Sequence, residues 1–242
     1  KDIDDNIIKS LQTHPFLYYT KKNKTFSFKY DFFENYFTSL FLRKMLDIDD
    51  EKPIDIDLIK LIAQKLTHGS DTINYIVKNT ENWTEDNILK IRDLIEQTNE
   101  FQLENIKTKR KAISGLFNLA LSINIQFKSN NREHNTKLLI DLFSTGNKSL
   151  SNVKLMFINS LESKIRFNFS GKTFENCDFI HFNLFWECNN DKETFFYNCN
   201  FEGLGQNKKA TTIPKVNFIN CNNEDNSLDL AYEINNEIQE NI

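Results

Sequence analysis

Phe174-Glu175-Asn176-Cys177, Phe196-Tyr197-Asn198-Cys199 and Phe218-Ile219-Asn220-Cys221 repeat one phrase: an aromatic, any residue, an asparagine and a cysteine. A fourth copy, Phe157-Ile158-Asn159-Ser160, has serine in the last slot. The four phenylalanines stand 17, 22 and 22 residues apart. A small residue three places after a fixed aromatic, recurring near 20 residues, is what stacked coils produce. Each coil then buries its inward side chains only against its neighbours. Phe157, Phe174, Cys177, Phe179, Phe196, Cys199, Phe201, Phe218 and Cys221 are therefore expected to line a repeat core. Asn176, Asn198 and Asn220 are expected to form a ladder at a coil corner, satisfying turn backbone.

The surrounding pattern supports strands. Val153, Leu155 and Phe157 alternate, as do Ile165, Phe167 and Phe169. Apolar residues return every fifth position at Phe169, Phe174, Phe179 and Leu184, and Phe167, Cys177 and Phe182 each stand two residues before one of these. This resembles the pentapeptide-repeat family. The resemblance implies a right-handed quadrilateral β-helix that turns the central residue of each five, and the residue two before it, into the core. It covers roughly 153–223 and is degenerate, with loop excursions expected at 186–194 and 204–214. Residues 227–242 read as an acidic helix, with Leu228, Ala231, Ile234 and Ile238 inward, covering the open end of the stack.

The first half has a different period. Ile7, Ile8 and Leu11 fit a short helix that Pro15 ends. Phe16-Leu17-Tyr18-Tyr19 and Thr25-Phe26-Ser27-Phe28 read as strands around a lysine-rich turn. Asp31–Leu46 turns helical again. Helix, hairpin and helix together predict a winged-helix-like unit. Residues 54–143 carry helical spacing throughout, with starts signalled at Ser70 or Asp71 and at Thr84, three residues before Asn87. Short polar links imply a helical bundle or arm. The organisation read from the sequence is an α+β multidomain chain. Its parts are a winged-helix-like unit (1–50), a helical domain (51–148), a pentapeptide-repeat-like β-helix (149–224) and a capping helix (225–242).

The segment Phe28-Lys29-Tyr30-Asp31-Phe32-Phe33-Glu34-Asn35-Tyr36-Phe37 resembles the winged-helix end of NACHT-type switch ATPases. Those proteins run Phe-x-His-Asp-x-x-x-Glu-Tyr-Phe here. Phe28, Asp31, Glu34, Tyr36 and Phe37 match with a one-residue slip after Glu34. Tyr30 takes the place of the histidine that reaches the nucleotide phosphates in the family. The resemblance implies a nucleotide contact at Tyr30, which can donate a hydrogen bond but carries no charge; the bland reading is a packing residue. It also implies an ATPase core upstream. No Gly-x-x-x-x-Gly-Lys-(Ser/Thr) loop occurs in this chain, so ATP or ADP and magnesium would enter only with such an upstream domain.

Little else points to chemistry. Cys177, His181, Cys188 and Cys199 are spaced C-x3-H-x6-C-x10-C, unlike a paired zinc knuckle, and cysteines sharing a repeat slot read as core. Lys107, Lys109, Arg110 and Lys111 read as solvated helix surface, and without interleaved aromatics they argue against nucleic acid, as does a net charge of −4. His68 and His134 have no serine or carboxylate at triad spacing, and Asp31, Glu34 and Asp141 form no acid-base pair. No apolar run reaches about 18 residues, so no membrane span is expected. With four cysteines and no signal pattern, the chain reads as cytoplasmic, and its start on Lys1 reads as a piece of a longer protein.

The expected function is that of a non-catalytic C-terminal sensor region of a NACHT-like switch ATPase in antiphage defence. Its partners would be a protein ligand and the upstream domain, with oligomerisation in the full protein. The alternative is a stand-alone pentapeptide-repeat scaffold, or a DNA mimic that inhibits topoisomerases.

Overall fold

The computed structural model describes residues 5–23, 25–46, 54–146, 148–158, 165–182, 188–203 and 216–223. Asn159, Ser160, Leu184, the whole of the 204–214 excursion and the expected C-terminal helix lie outside the described residues. Among the described residues the fold is mixed α+β: seven helices up to Phe143, with one hairpin between the first two, then small sheets.

The chain opens with α1 (Asp5–Gln12) and an antiparallel hairpin of β1 (Leu17–Thr20) and β2 (Thr25–Phe28), in register from Leu17↔Phe28 to Thr20↔Thr25. Helix α2 (Asp31–Lys44) follows, burying Ser39 and Leu42 toward the next helices. Most of the aromatic residues of this unit remain exposed, Phe16, Tyr18, Phe32, Phe37 and Phe41 among them. The apolar side of α2 is thus only partly covered.

The next helices start at side-chain caps that satisfy free backbone N–H groups. Asp55 accepts from Leu58 N at 2.8 Å to start α3 (Ile56–Lys65), and Ser70 accepts from Ile73 N at 3.3 Å to start α4 (Asp71–Lys78). At α5 (Glu85–Glu100), Asn87 reaches back to accept from Thr84 N at 3.0 Å. Asn105 and Asn131 cap α6 (Ile106–Lys128) and α7 (Arg132–Phe143). Helix α6 is the hub. Ile113, Leu116, Leu119, Ala120, Leu121 and Ile123 are all fully buried, as on a helix covered on every side. It packs on α3, α4, α5 and α7 and also on the strands that follow. Gly115 permits the closest of these approaches, because a Cβ there would sit 2.9 Å from Leu66 O.

The later strands form parallel ladders. One joins β3 (Ser149–Ser151), β6 (Thr173–Glu175), β9 (Phe195–Tyr197) and β11 (Asn217–Ile219), with Leu150, Phe174, Phe196 and Phe218 in register. The second joins β4 (Lys154–Met156), β7 (Asp178–Ile180), β10 (Asn200–Glu202) and β12 (Asn222–Asn223), aligning Leu155, Phe179 and Phe201. A third pairs β5 (Phe167–Asn168) with β8 (Cys188–Asn189). Phenylalanines stack along each ladder, at 5.0 Å for Phe174–Phe196 and 5.2 Å for Phe179–Phe201, and meet edge-to-face between ladders, as Phe174–Phe179 do at 5.6 Å.

Three expectations are corrected here. The first turn of the repeat is Leu150-Ser151-Asn152-Val153, which aligns with Phe174 onward, and Phe157 is a half-exposed corner residue outside the core. The slots ask for apolar volume, and Leu and Val supply it as well as Phe and Cys. The excursion at 186–194 contains β8, because Cys188 is buried and pairs with Phe167. The asparagines do mark a corner, and they do so through the backbone. Asn152, Asn176, Asn198 and Asn220 all have φ between 52° and 57°, the left-handed region that asparagine tolerates better than most residues. Their N–H groups carry the ladder round the bend, as where Asn176 N donates to Tyr197 O at 3.0 Å.

Helices and ladders share one continuous core around residue 148. Phe117 of α6 faces Phe167 of β5, with ring centroids 6.3 Å apart, and Thr136 of α7 accepts from Asn168 N at 2.7 Å.

Cys177, Cys199 and Cys221 form a column, apart from Cys188 on β8. Each thiol donates to a carbonyl one turn back: Cys177 to Leu150 O at 3.8 Å, Cys199 to Phe174 O at 3.5 Å and Cys221 to Phe196 O at 3.3 Å. The thiol of Cys199 is pushed far above the ordinary range by its hydrogen bond with Cys177, and that of Cys221 by its hydrogen bond with Cys199 and by burial. Only the thiolate is a good nucleophile. In the native protein at pH 8, Cys199 is therefore expected to resist a disulfide-exchange reagent for hours and to react within minutes in denaturant, and Cys177 to do the same because it is fully buried. Rapid native labelling of either, read by mass spectrometry of the peptides, would contradict this placement.

Candidate functional site

One face of α6 carries polar residues at helical spacing: Lys107, Arg110, Lys111, Ser114 and Asn118. This face meets the second ladder. Ser114 Oγ accepts from Met156 N at 3.2 Å and donates to Met156 O at 3.1 Å, clipping α6 to β4. Arg110 Nε lies 2.8 Å from Asp178 Oδ2 on β7, and Lys154 Nζ lies 3.1 Å from the same oxygen. Asn200 Nδ2 donates to the other oxygen at 2.6 Å, and Lys154 also donates to Asn176 O at 2.8 Å. Asp178 is fully buried, so each interaction here acts in low dielectric. The expected solvated basic run is corrected at Arg110, which is partly buried and ion-paired, and at Lys109, whose Nζ donates to Asn99 O at 2.6 Å.

Immediately beyond β4 the chain turns at a second corner, where Phe157, His181 and Gly203 stack with φ of 56°, 48° and 61°. Phe157 N donates to Ile180 O and His181 N to Glu202 O, both at 2.8 Å. A bulky residue in this backbone region is a true outlier and costs on the order of 1–3 kcal/mol. Burial does not offset that cost at Phe157, whose surface is 49% exposed. Its ring lies 4.9 Å from that of His181.

Two cavities abut Phe157 and Met156. The inner one, about 110 Å³, lies between α3 and α6 and is walled by Ala63, Leu66, Thr67, His68, Lys111, Ser114 and Asn118. Burial lowers the pKa of His68, which favours the neutral imidazole. Asn118 is 2% exposed and its Oδ1 is buried without a hydrogen-bond partner. The outer cavity, about 240 Å³, is lined by Lys107, Arg110, Ile180, Asn200, Phe201 and Glu202. The outer cavity thus brings cations and a half-exposed ring together.

Gly203 closes the corner. A Cβ there would collide with His181 Nδ1, and its φ is already unfavourable for an L side chain. Gly203→Ala is expected to cost roughly 2–3 kcal/mol in urea unfolding. Adding His181→Ala should return the part due to the collision. An unchanged midpoint in the single variant would refute this corner geometry.

Of the residues singled out from sequence, Phe174, Cys177, Phe179, Phe196, Cys199 and Phe201 are fully buried, and Phe218 and Cys221 pack at the edge of the same core. Tyr30 stands at the start of α2, 53% exposed, against Phe32 and Phe33. Cys177, His181, Cys188 and Cys199 do not gather: among the described residues no three His, Cys, Asp or Glu side chains are placed to hold a metal. Also among the described residues, no helix is long and apolar enough to cross a membrane. The cleft beside α6 was missed from sequence. Ser114 and Asn118, polar residues interrupting an apolar helix at the spacing of Lys107 and Lys111, were its available signal.

No family model, curated protein or solved structure matches this chain.

Proposed function

We propose that this chain is a non-catalytic recognition region of a larger NACHT-like switch ATPase. Its ladders wind as one pentapeptide-repeat-like β-helix, and its N-terminal unit is a winged helix that closes against an upstream nucleotide domain. The carrying observation is the contrast in aromatic burial. The ladder phenylalanines Phe167, Phe174, Phe179, Phe196 and Phe201 are fully covered, while Phe16, Tyr18, Phe32 and Phe37 stay exposed on or beside the first hairpin and α2. An apolar patch of that kind marks a surface completed by another body. The exposed Tyr30 lies on the same face-forming segment, where the family's phosphate-contacting histidine would stand. A rigid ladder suits recognition because it loses little entropy on binding. Antiphage defence is the process this reading implies.

The test has two parts. The residues encoded before Lys1 are expected to include a phosphate-binding glycine-lysine loop, and hydrogen exchange over 16–41 in that full protein is expected to slow when ADP is bound. Absence of the loop sinks the reading. Inhibition of gyrase supercoiling by this chain alone would favour the topoisomerase-inhibitor alternative.

A further inference from the structure

We propose that the outer cavity beside α6 is the docking site of this chain's own acidic segment, residues 224–242, which folds back from β12 across the second ladder. The proposal goes beyond the recognition reading and involves neither the N-terminal unit nor an upstream domain. Position, charge and an exposed ring carry it.

Strand β12 ends at Asn223, which pairs with Phe201 of β10. The chain thus leaves the ladder beside Glu202, and Asn200, Phe201 and Glu202 all line the outer cavity. From β12 to β4 is three strand spacings, about 14 Å. Five extended residues span roughly 16 Å, so Leu228 can reach Phe157 on the far wall of the cavity. So short a tether gives a local concentration in the millimolar range, and even a weak contact then stays mostly closed.

Residues 224–242 hold six acidic residues, Asp225 and Asp229 among them, and no lysine or arginine. The α6 wall of the cavity presents Lys107 and Arg110, and Lys111 stands one turn beyond Lys107. Lys107 and Lys111 are exposed, and among the described residues neither is in an ion pair. Glu202 repels carboxylates from the ladder side, which turns them toward α6.

Phe157 supplies the apolar contact. Its ring is half-exposed in a backbone conformation that asparagine or glycine would adopt at less cost. The first corner carries asparagine at all four turns, so such a bend does not require an aromatic. Leu228 and Leu230 lie within the segment that would cover this ring. The sequence reading set the same segment over the open end of the ladders; the unpaired lysines and the exposed ring favour their side.

The test is zero-length carbodiimide coupling of the full chain, which joins amines only to carboxylates in contact, followed by mass spectrometry of the peptides. Lys107 or Lys111 is expected to couple within one molecule to a carboxylate of residues 224–240, and added salt should suppress the product. Lys107→Glu with Lys111→Glu should leave the thermal midpoint of the fold in place, because both positions are exposed. It should speed chymotryptic cleavage after Tyr232 at least about 5-fold, since cleavage follows the open population. Asp225→Lys with Asp229→Lys in that background should restore slow cleavage, which loss of fold alone would not do. Three results overturn the proposal: coupling of the segment only to other lysines such as Lys192, coupling only between two molecules, or cleavage unchanged by the lysine reversals. Each would leave the upstream-domain reading standing, because its test does not involve this cavity.

Discussion

Asp178→Ala is expected to lose on the order of 3–5 kcal/mol of unfolding free energy, the range for breaking a buried ion pair from one side. The loss arises from what remains. Lys154 is only 8% exposed, and without the carboxylate its ammonium keeps only its bond to Asn176 O. Asn200 Nδ2 also loses its acceptor. Arg110, less buried than Lys154, can turn toward water at smaller cost. Lys154→Met in the Asp178→Ala background should therefore recover a substantial part of the loss, whereas Arg110→Met in that background should recover little. Urea midpoints of the four proteins decide the matter. A loss under about 1 kcal/mol in the single variant would show that Asp178 is solvated and that α6 is not held to β7 by this carboxylate.

Phe179→Ala should cost a comparable 3–5 kcal/mol through cavity formation. Its ring touches those of Phe169, Phe174, Phe182, Phe196 and Phe201, so it joins both ladders. Stacked neighbours cannot collapse into the space without breaking register, because each is fixed by its own strand pairing. Phe218→Ala, at the partly buried edge, should cost about half as much or less. Equal costs at the two positions would indicate that the aromatic stack does not form one packed column.

The sequence made the helices legible because spacing and caps agree. Ser70 and the Thr84–Asn87 pair stand where the structure starts α4 and α5. The phrase of asparagine and cysteine correctly marked a bend followed by a buried small residue. It misplaced the first turn because Leu150 and Val153 satisfy the same slots without sharing the letters. Period-five counting also lost β8, whose two residues pair in register with β5 although the intervening segment does not keep the count. The cleft was less readable still. Arg110, Lys154 and Asp178 come from three distant segments, and no periodicity announces a contact made only by tertiary packing.

The helices grip the ladders chiefly through β3, β4 and β5, while later strands lean mostly on the strand before them. The aligned positions of the last three turns recur at 22 residues, from Phe174 to Phe196 to Phe218. Growth at that distal end is thus modular. Duplication of one such unit in the gene would lengthen the ladders while leaving their anchorage on α6 and α7 untouched, whereas gain of a single residue inside a strand would put the later side chains of that strand on the wrong face.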